Sequence, residues 1–213
     1  ASHRGSHGRQ RLQLNYAAGR CTADHLSTPN PRMRSAVHRD DSGRPDGVVS
    51  YGLMAFVMTA APIAMVNTGH SVDSAALGIQ WHLLAMFAPS FVTGRLMTRF
   101  GKERVTAAGM LLIAVSAIVA LAGLELINFW GSLAIMGIGW NFSFIGATAM
   151  VTDCHTPGER AKAQGANDFM VFGTTAAVSF LAGSVLHNSG WAAINWLLFP
   201  PVALILVPLL WQA

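Results

Sequence analysis

Residues 93–105 read TGRLMTRFGKERV and place Arg95, Arg99, Lys102 and Arg104 within a few positions of one another. In the whole chain of 213 residues only 11% are charged. A soluble domain carries about 25% charged residues. Hydrophobic residues reach 52% and the mean hydropathy is +0.42. That composition suits a lipid bilayer as solvent. Long apolar runs lie on both sides of the basic stretch, so the fold is read outward from it.

A hydrocarbon core of about 30 Å needs roughly 20 apolar residues in helix. Six segments meet or approach this length: 47–66, 75–97, 105–124, 127–151, 165–186 and 191–211. They are too long and too uniform to be barrel strands, which alternate in polarity over about ten residues. Backbone amides in hydrocarbon must pair within their own segment, which makes these segments helices. The expected fold is an all-α membrane protein with six transmembrane helices in residues 47–213. Residues 1–46 form a separate basic segment. Its Pro29, Pro31 and Pro45 break helices, and its low apolar content predicts disorder. No apolar signal region occurs there, and the opening on Ala1 leads us to expect a fragment or a processed product.

The loops set the orientation. Of the 14 Lys and Arg residues, eight fall in residues 1–46, four in the basic stretch, and Arg160 and Lys162 follow the fourth segment. The remaining connections, 67–74, 125–126 and 187–190, contain none. Cationic loops stay cytoplasmic. Six helices with both termini inside satisfy this rule without exception, in a plasma (inner) membrane. The formal charge of +4 sits in the tail and loops rather than in one groove, so no nucleic-acid partner is expected. Cys21 and Cys154 form neither a metal spacing nor a disulfide framework. His155 beside Cys154 lacks further ligands, so no metal and no cofactor are expected.

Gly94, Arg95, Arg99, Gly101, Lys102 and Arg104 carry more than orientation. Their pattern resembles the loop signature of the major facilitator superfamily, G-x-x-x-D-R-x-G-R-R. Both glycines, the central Arg and the flanking cations match. Thr98 stands where Asp is usual, and Glu103 where a base is usual. A degenerate copy between the second and third helices of a six-helix unit is similar to the loop between helices eight and nine of that superfamily. The resemblance implies a half-bundle of two inverted three-helix repeats, the C-terminal half of a twelve-helix transporter, with an N-terminal half upstream. It also implies a conformational latch, in which Arg99 pairs with a carboxylate; Asp153 and Asp168 lie on the same predicted side. Gly94 would let two helices approach closely, and Gly101 would permit a tight turn.

The fourth segment contains Gly131, Gly137, Gly139 and Gly146, with Asn141 near its middle. Gly137, Asn141, Phe144 and Thr148 recur near the helical period and are expected to share a face. In the superfamily the first helix of each repeat lines the central cavity. Carried onto this chain, that makes Tyr51, Met54, Met58, Trp140, Asn141 and Phe144 candidate lining residues. An aromatic and methionine lining with one amide suits a partly apolar organic solute. Asn141 is equally well read as a packing residue bonded to a neighbouring helix.

No Asp or Glu lies near the middle of any segment, and His82 falls nearer the outer side of the second. This half therefore shows no evident intramembrane proton carrier. Pro200, Pro201 and Pro208 should kink the sixth segment. The expected function is secondary transport of a small organic solute by alternating access, without enzymatic chemistry. Two other classes fit the sequence less well. A membrane hydrolase needs a nucleophile and base at one depth, whereas Ser143 and His187 lie at different depths and no GxSxG occurs. A permease subunit of an ATP-driven complex would depend on another chain, because no GxxxxGK[ST] is present.

Overall fold

The computed structural model describes residues 46–153 and 160–212, with side chains at 46–150, 164–209 and 211. Residues 1–45 of the basic segment and residues 154–159 lie outside the described residues, as do the side chains of Asp153, Arg160 and Lys162. Among the described residues there are helices and turns and no strand. The helices are α1 (Asp46–Asn67), α2 (Val72–Phe87), α3 (Ser90–Phe100), α4 (Lys102–Leu121), α5 (Leu126–Asp153), α6 (Arg160–Trp196) and α7 (Phe199–Gln212).

Three helices match expected spans closely. α1, α4 and α5 are each long and apolar enough to cross a membrane. The segment 75–97, expected as one helix, is two. Pro89 has no N–H, and α2 makes its last bond from the Ala88 N–H to the Leu84 carbonyl at 2.9 Å. α3 restarts with Val92 and Thr93 both donating to the Pro89 carbonyl, at 2.8 and 2.9 Å. The two helices meet at 41° and together are long enough for one span. The apolar stretch Gln164–Leu209 covers 46 residues, about 70 Å at 1.5 Å per residue, twice a bilayer core. It divides at Gly190, whose φ of 78° is left-handed. The expected fifth and sixth segments, 165–186 and 191–211, lie on either side of this break. A second interruption at Leu197 and Leu198 precedes α7. Pro200 and Pro201 then fall in the first turn of α7, where a missing N–H costs nothing.

α5 is the hub of the bundle, packed on α4, α2 and α1. Its antiparallel seam with α4 is made from small residues. A Cβ on Gly139 would lie 2.8 Å from the Gly109 carbonyl, and one on Gly146 would strike Thr106 Oγ1. On the other side of α5, a Cβ on Gly137 would lie 2.6 Å from the His82 carbonyl of α2. Lipid offers apolar groups what the core offers them, so close backbone approach is a main source of attraction between membrane helices. The core joins Ala60, Ala61 and Met65 of α1, Met110 and Ile113 of α4, Phe129, Leu133 and Met136 of α5, and Ile194 and Leu198 beyond Gly190. Phe91, Phe180 and Trp211 are among the most exposed side chains. In water they would favour aggregation, but hydrocarbon accommodates them.

Candidate functional site: an aromatic cluster between three helices

Tyr51 of α1 is half-buried and meets three rings. Trp140 and Phe144 of α5 lie edge-on to it, with centroids at 5.7 and 5.4 Å. Phe172 of α6 lies at 6.2 Å. Trp140 and Phe144 stack on each other at 4.8 Å, with planes only 13° apart. Their four-residue separation on one helix places them a turn apart on the same side. A buried Ser50–Ser143 hydrogen bond of 2.6 Å fixes the register of α1 against α5 beside the cluster. The Trp140 Nε1–H is buried with no acceptor among the described residues. Phe144, Ile145, Thr148 and Ala149 line an open apolar depression of about 270 Å³.

The other candidate lining residues are not in this cluster. Met58 packs against the core, and Met54 is half-buried on α1. Asn141 turns to the α2–α3 break. Its Nδ2 donates to the Met86 carbonyl at 2.8 Å and to Ser90 Oγ at 2.7 Å, and its Oδ1 lies 2.6 Å from Thr93 Oγ1. The Met86 carbonyl would have bonded the Ser90 N–H in an unbroken helix, and the Asn141 amide takes its place. The stripe Gly137, Asn141, Phe144 and Thr148 therefore divides, contrary to the single face expected. α2 covers Gly137, the α2–α3 break meets Asn141, and Phe144 and Thr148 face the depression.

The basic loop is built as a turn. Gly101 joins α3 to α4 with φ at 91°, a value that opposes a Cβ. Gly94 does not bring helices together, since nothing lies within 4 Å of where its Cβ would stand. Lys102 Nζ donates to the Ala149 carbonyl of α5 at 3.2 Å, where a cation complements the helix end. Arg99 is exposed and lies over the Phe100 ring at 5.4 Å. Asp168 accepts from Gln164 Nε2 at 2.8 Å within α6, and no contact joins it to Arg99. Glu103 is half-buried, and Arg95 and Arg104 are exposed.

Comparison with protein families matches residues 47–213 to the Major Facilitator Superfamily. The chain belongs to the major facilitator superfamily. It is accordingly an integral, multi-pass membrane protein. Among curated proteins, this superfamily member is 65% identical over 198 residues to the riboflavin transporter RfnT of Brucella anthropi, covering 84% of this chain and 49% of the relative. It is 33% identical to YdeG and 32% identical to YddS, uncharacterised MFS-type transporters of Bacillus subtilis. Those matches cover 76% and 67% of this chain, and 38% and 33% of the relatives. The chain thus spans half or less of the length of these relatives. No solved structure matches it.

Sequence reasoning missed Phe172, Ser50, Ser90 and Thr93 in this superfamily member. Phe172 was findable by depth. It lies 12 residues into α6 from the basic side, and helices α1, α5 and α6 all have an end on that side. Ser90 and Thr93 follow from Pro89, since carbonyls freed by a proline in a membrane helix need other donors.

Proposed function

We propose that this chain is the C-terminal half of a secondary transporter that moves riboflavin, or a solute with the same flat ring system, by alternating access. The observation that carries the reading is the cluster of Tyr51, Trp140, Phe144 and Phe172, shared among three helices. Aromatic faces attract a planar heteroaromatic ring in offset or edge-on contact, and the spare Trp140 Nε1–H suits a ring carbonyl. The 65% identity to a riboflavin transporter supports the same solute. Asn141 serves this site indirectly, by holding the helix break one turn away; Met54 and Met58 border it along α1. An N-terminal six-helix half would supply the opposite wall. The distribution of Lys and Arg supports an inner-membrane protein with both termini cytoplasmic, residues 1–46 acting as a cytoplasmic tail or linker.

The test is uptake of riboflavin by a riboflavin-requiring bacterium that lacks its own importer and expresses this chain joined to its N-terminal half. Expression is expected to restore growth at low external riboflavin, and Trp140→Ala to weaken apparent affinity about tenfold, the equivalent of one lost ring contact. Failure to restore uptake, or an unchanged affinity in the variant, overturns the assignment.

The basic loop acts in this reading as a cytoplasmic latch, with Arg99 paired to Asp153 in one state of the cycle. Arg99→Ala and Asp153→Ala are each expected to raise labelling of a cysteine placed at Thr148, by a reagent confined to the cytoplasmic side, about fivefold. Equal labelling in both variants and the parent removes the latch.

A further inference from the structure

His82 lies in α2 at its crossing with α5 and is only 1% exposed. Its Nδ1 is 2.8 Å from the Leu133 carbonyl. A carbonyl only accepts, so Nδ1 carries the hydrogen and Nε2 holds a lone pair. That Nε2 is buried without a hydrogen-bond partner among the described residues. The two helix backbones are close here. Beside the ring, Gly137 allows the α5 backbone to press on the His82 carbonyl and the Met86 N–H. Among the described residues, no other titratable group faces the ring. α5 carries no Asp, Glu, Lys, Arg, His, Cys or Tyr from Leu126 to Met150. α1, the other helix packed on α2, offers Asp46 at its start and Tyr51, which is held in the aromatic cluster. Asp73 of α2 is nine positions earlier, about 13 Å away along the helix, and exposed.

An ionisable side chain at membrane depth points to function by default, and imidazole is the side chain that changes charge near neutrality. A proton added at Nε2 would create a cation with a buried N–H that has no acceptor. The closed seam therefore disfavours the protonated ring. Parting α2 from α5 would admit water and accept the proton. Proton and conformation are thus linked: each biases the other by the same factor. One turn below, the Met86 carbonyl joins this seam to the Asn141 bonds at the α2–α3 break, so the linkage reaches the bend.

We propose that His82 is the proton-binding residue of this half-bundle, taking a proton at Nε2 when α2 parts from α5 and releasing it when they close. This makes the transporter proton-coupled, and it rests on riboflavin being the solute.

The experiment uses the full transporter in phosphatidylcholine–phosphatidylglycerol vesicles and two readouts. One is exchange of labelled for unlabelled riboflavin without any gradient. The other is the steady ratio of internal to external riboflavin under an imposed pH difference of either sign. The wild type is expected to exchange and to shift its ratio in opposite directions with the sign of the gradient, by about tenfold per pH unit for one proton per solute. His82→Asn keeps an amide to donate to the Leu133 carbonyl and has nothing to titrate. It is expected to exchange normally, with a ratio of one under both gradients. A wild-type ratio that ignores the gradient, or an Asn variant that still follows it, overturns the proposal. His82→Gln guards against a folding defect in the Asn variant, and loss of exchange by both would make His82 a packing residue and also overturn it. Absence of wild-type riboflavin exchange is a separate result: it refutes the solute assignment and takes this inference with it.

Discussion

Replacing Gly109 with valine is expected to destabilise the bundle by about 3 kcal/mol, at the upper end of overpacking costs. A Cβ at position 109 would collide with the Ser143 backbone nitrogen and lie 2.6 Å from the Gly139 carbonyl. Both are backbone atoms of α5, so no rotamer change relieves the contact. α4 and α5 would have to separate along a seam that continues through Thr106 with Gly146 and Ile113 with Gly139. Dispersion falls steeply with separation, so a small displacement loses contacts along the whole seam. Thermal unfolding of the purified transporter should show a midpoint lowered by about 5 °C. Gly173→Ala is the control, because a Cβ there meets nothing within 4 Å, and it should leave the midpoint nearly unchanged. A Gly109→Val midpoint equal to the parent's would mean that the seam is looser than the geometry shows.

The second large effect is expected at Asn141. Its amide bonds the Met86 carbonyl, Ser90 and Thr93, all at the α2–α3 break. Asn141→Ala leaves these groups without that partner, and Met86 and Thr93 are buried. Hydrogen bonds between membrane helices are individually modest, because the unfolded chain in lipid also finds partners. Together with the cavity, their loss is expected to cost about 2–3 kcal/mol. The bend itself should also loosen. Spin labels at Leu77 and Phe100, on opposite sides of Pro89, should give a broader distance distribution in the variant. An unchanged distribution would show that Pro89 alone sets the bend.

What could be read in advance follows the strength of the physical constraint. α1, α4 and α5 were legible because a bilayer demands one long apolar helix, and each of these runs has no competing signal. The break in 75–97 was obscured by that same apolar continuity. Phe87, Ala88 and Pro89 look like part of a span by hydropathy, and only the missing N–H of Pro89 interrupts it. The break at Gly190 falls where the loop 187–190 was expected, whereas the break at Leu197 and Leu198 lies inside the expected segment 191–211 and was not read from its apolar run. For the candidate site, Tyr51, Trp140 and Phe144 were found from helix order, through the family resemblance. Asn141 could not be separated from them by period alone, because its direction depends on where α2 ends. The partners of Arg99 and Asp168 were equally beyond sequence, since long flexible side chains choose between several nearby groups.

The α4–α5 hairpin has a consequence for how the protein is made. Its two helices are joined by the short turn around Glu125, and their contact needs no residue from elsewhere in the chain. Closing so short a loop costs little entropy. This pair can therefore dock as soon as both helices have entered the membrane during synthesis. α6 and the segment beyond Gly190, which pack on α1 and α4 across long sequence distances, must find a hairpin that already exists. A valine at Gly109 would then be felt at the ribosome, as slower or failed insertion, before any finished transporter could unfold.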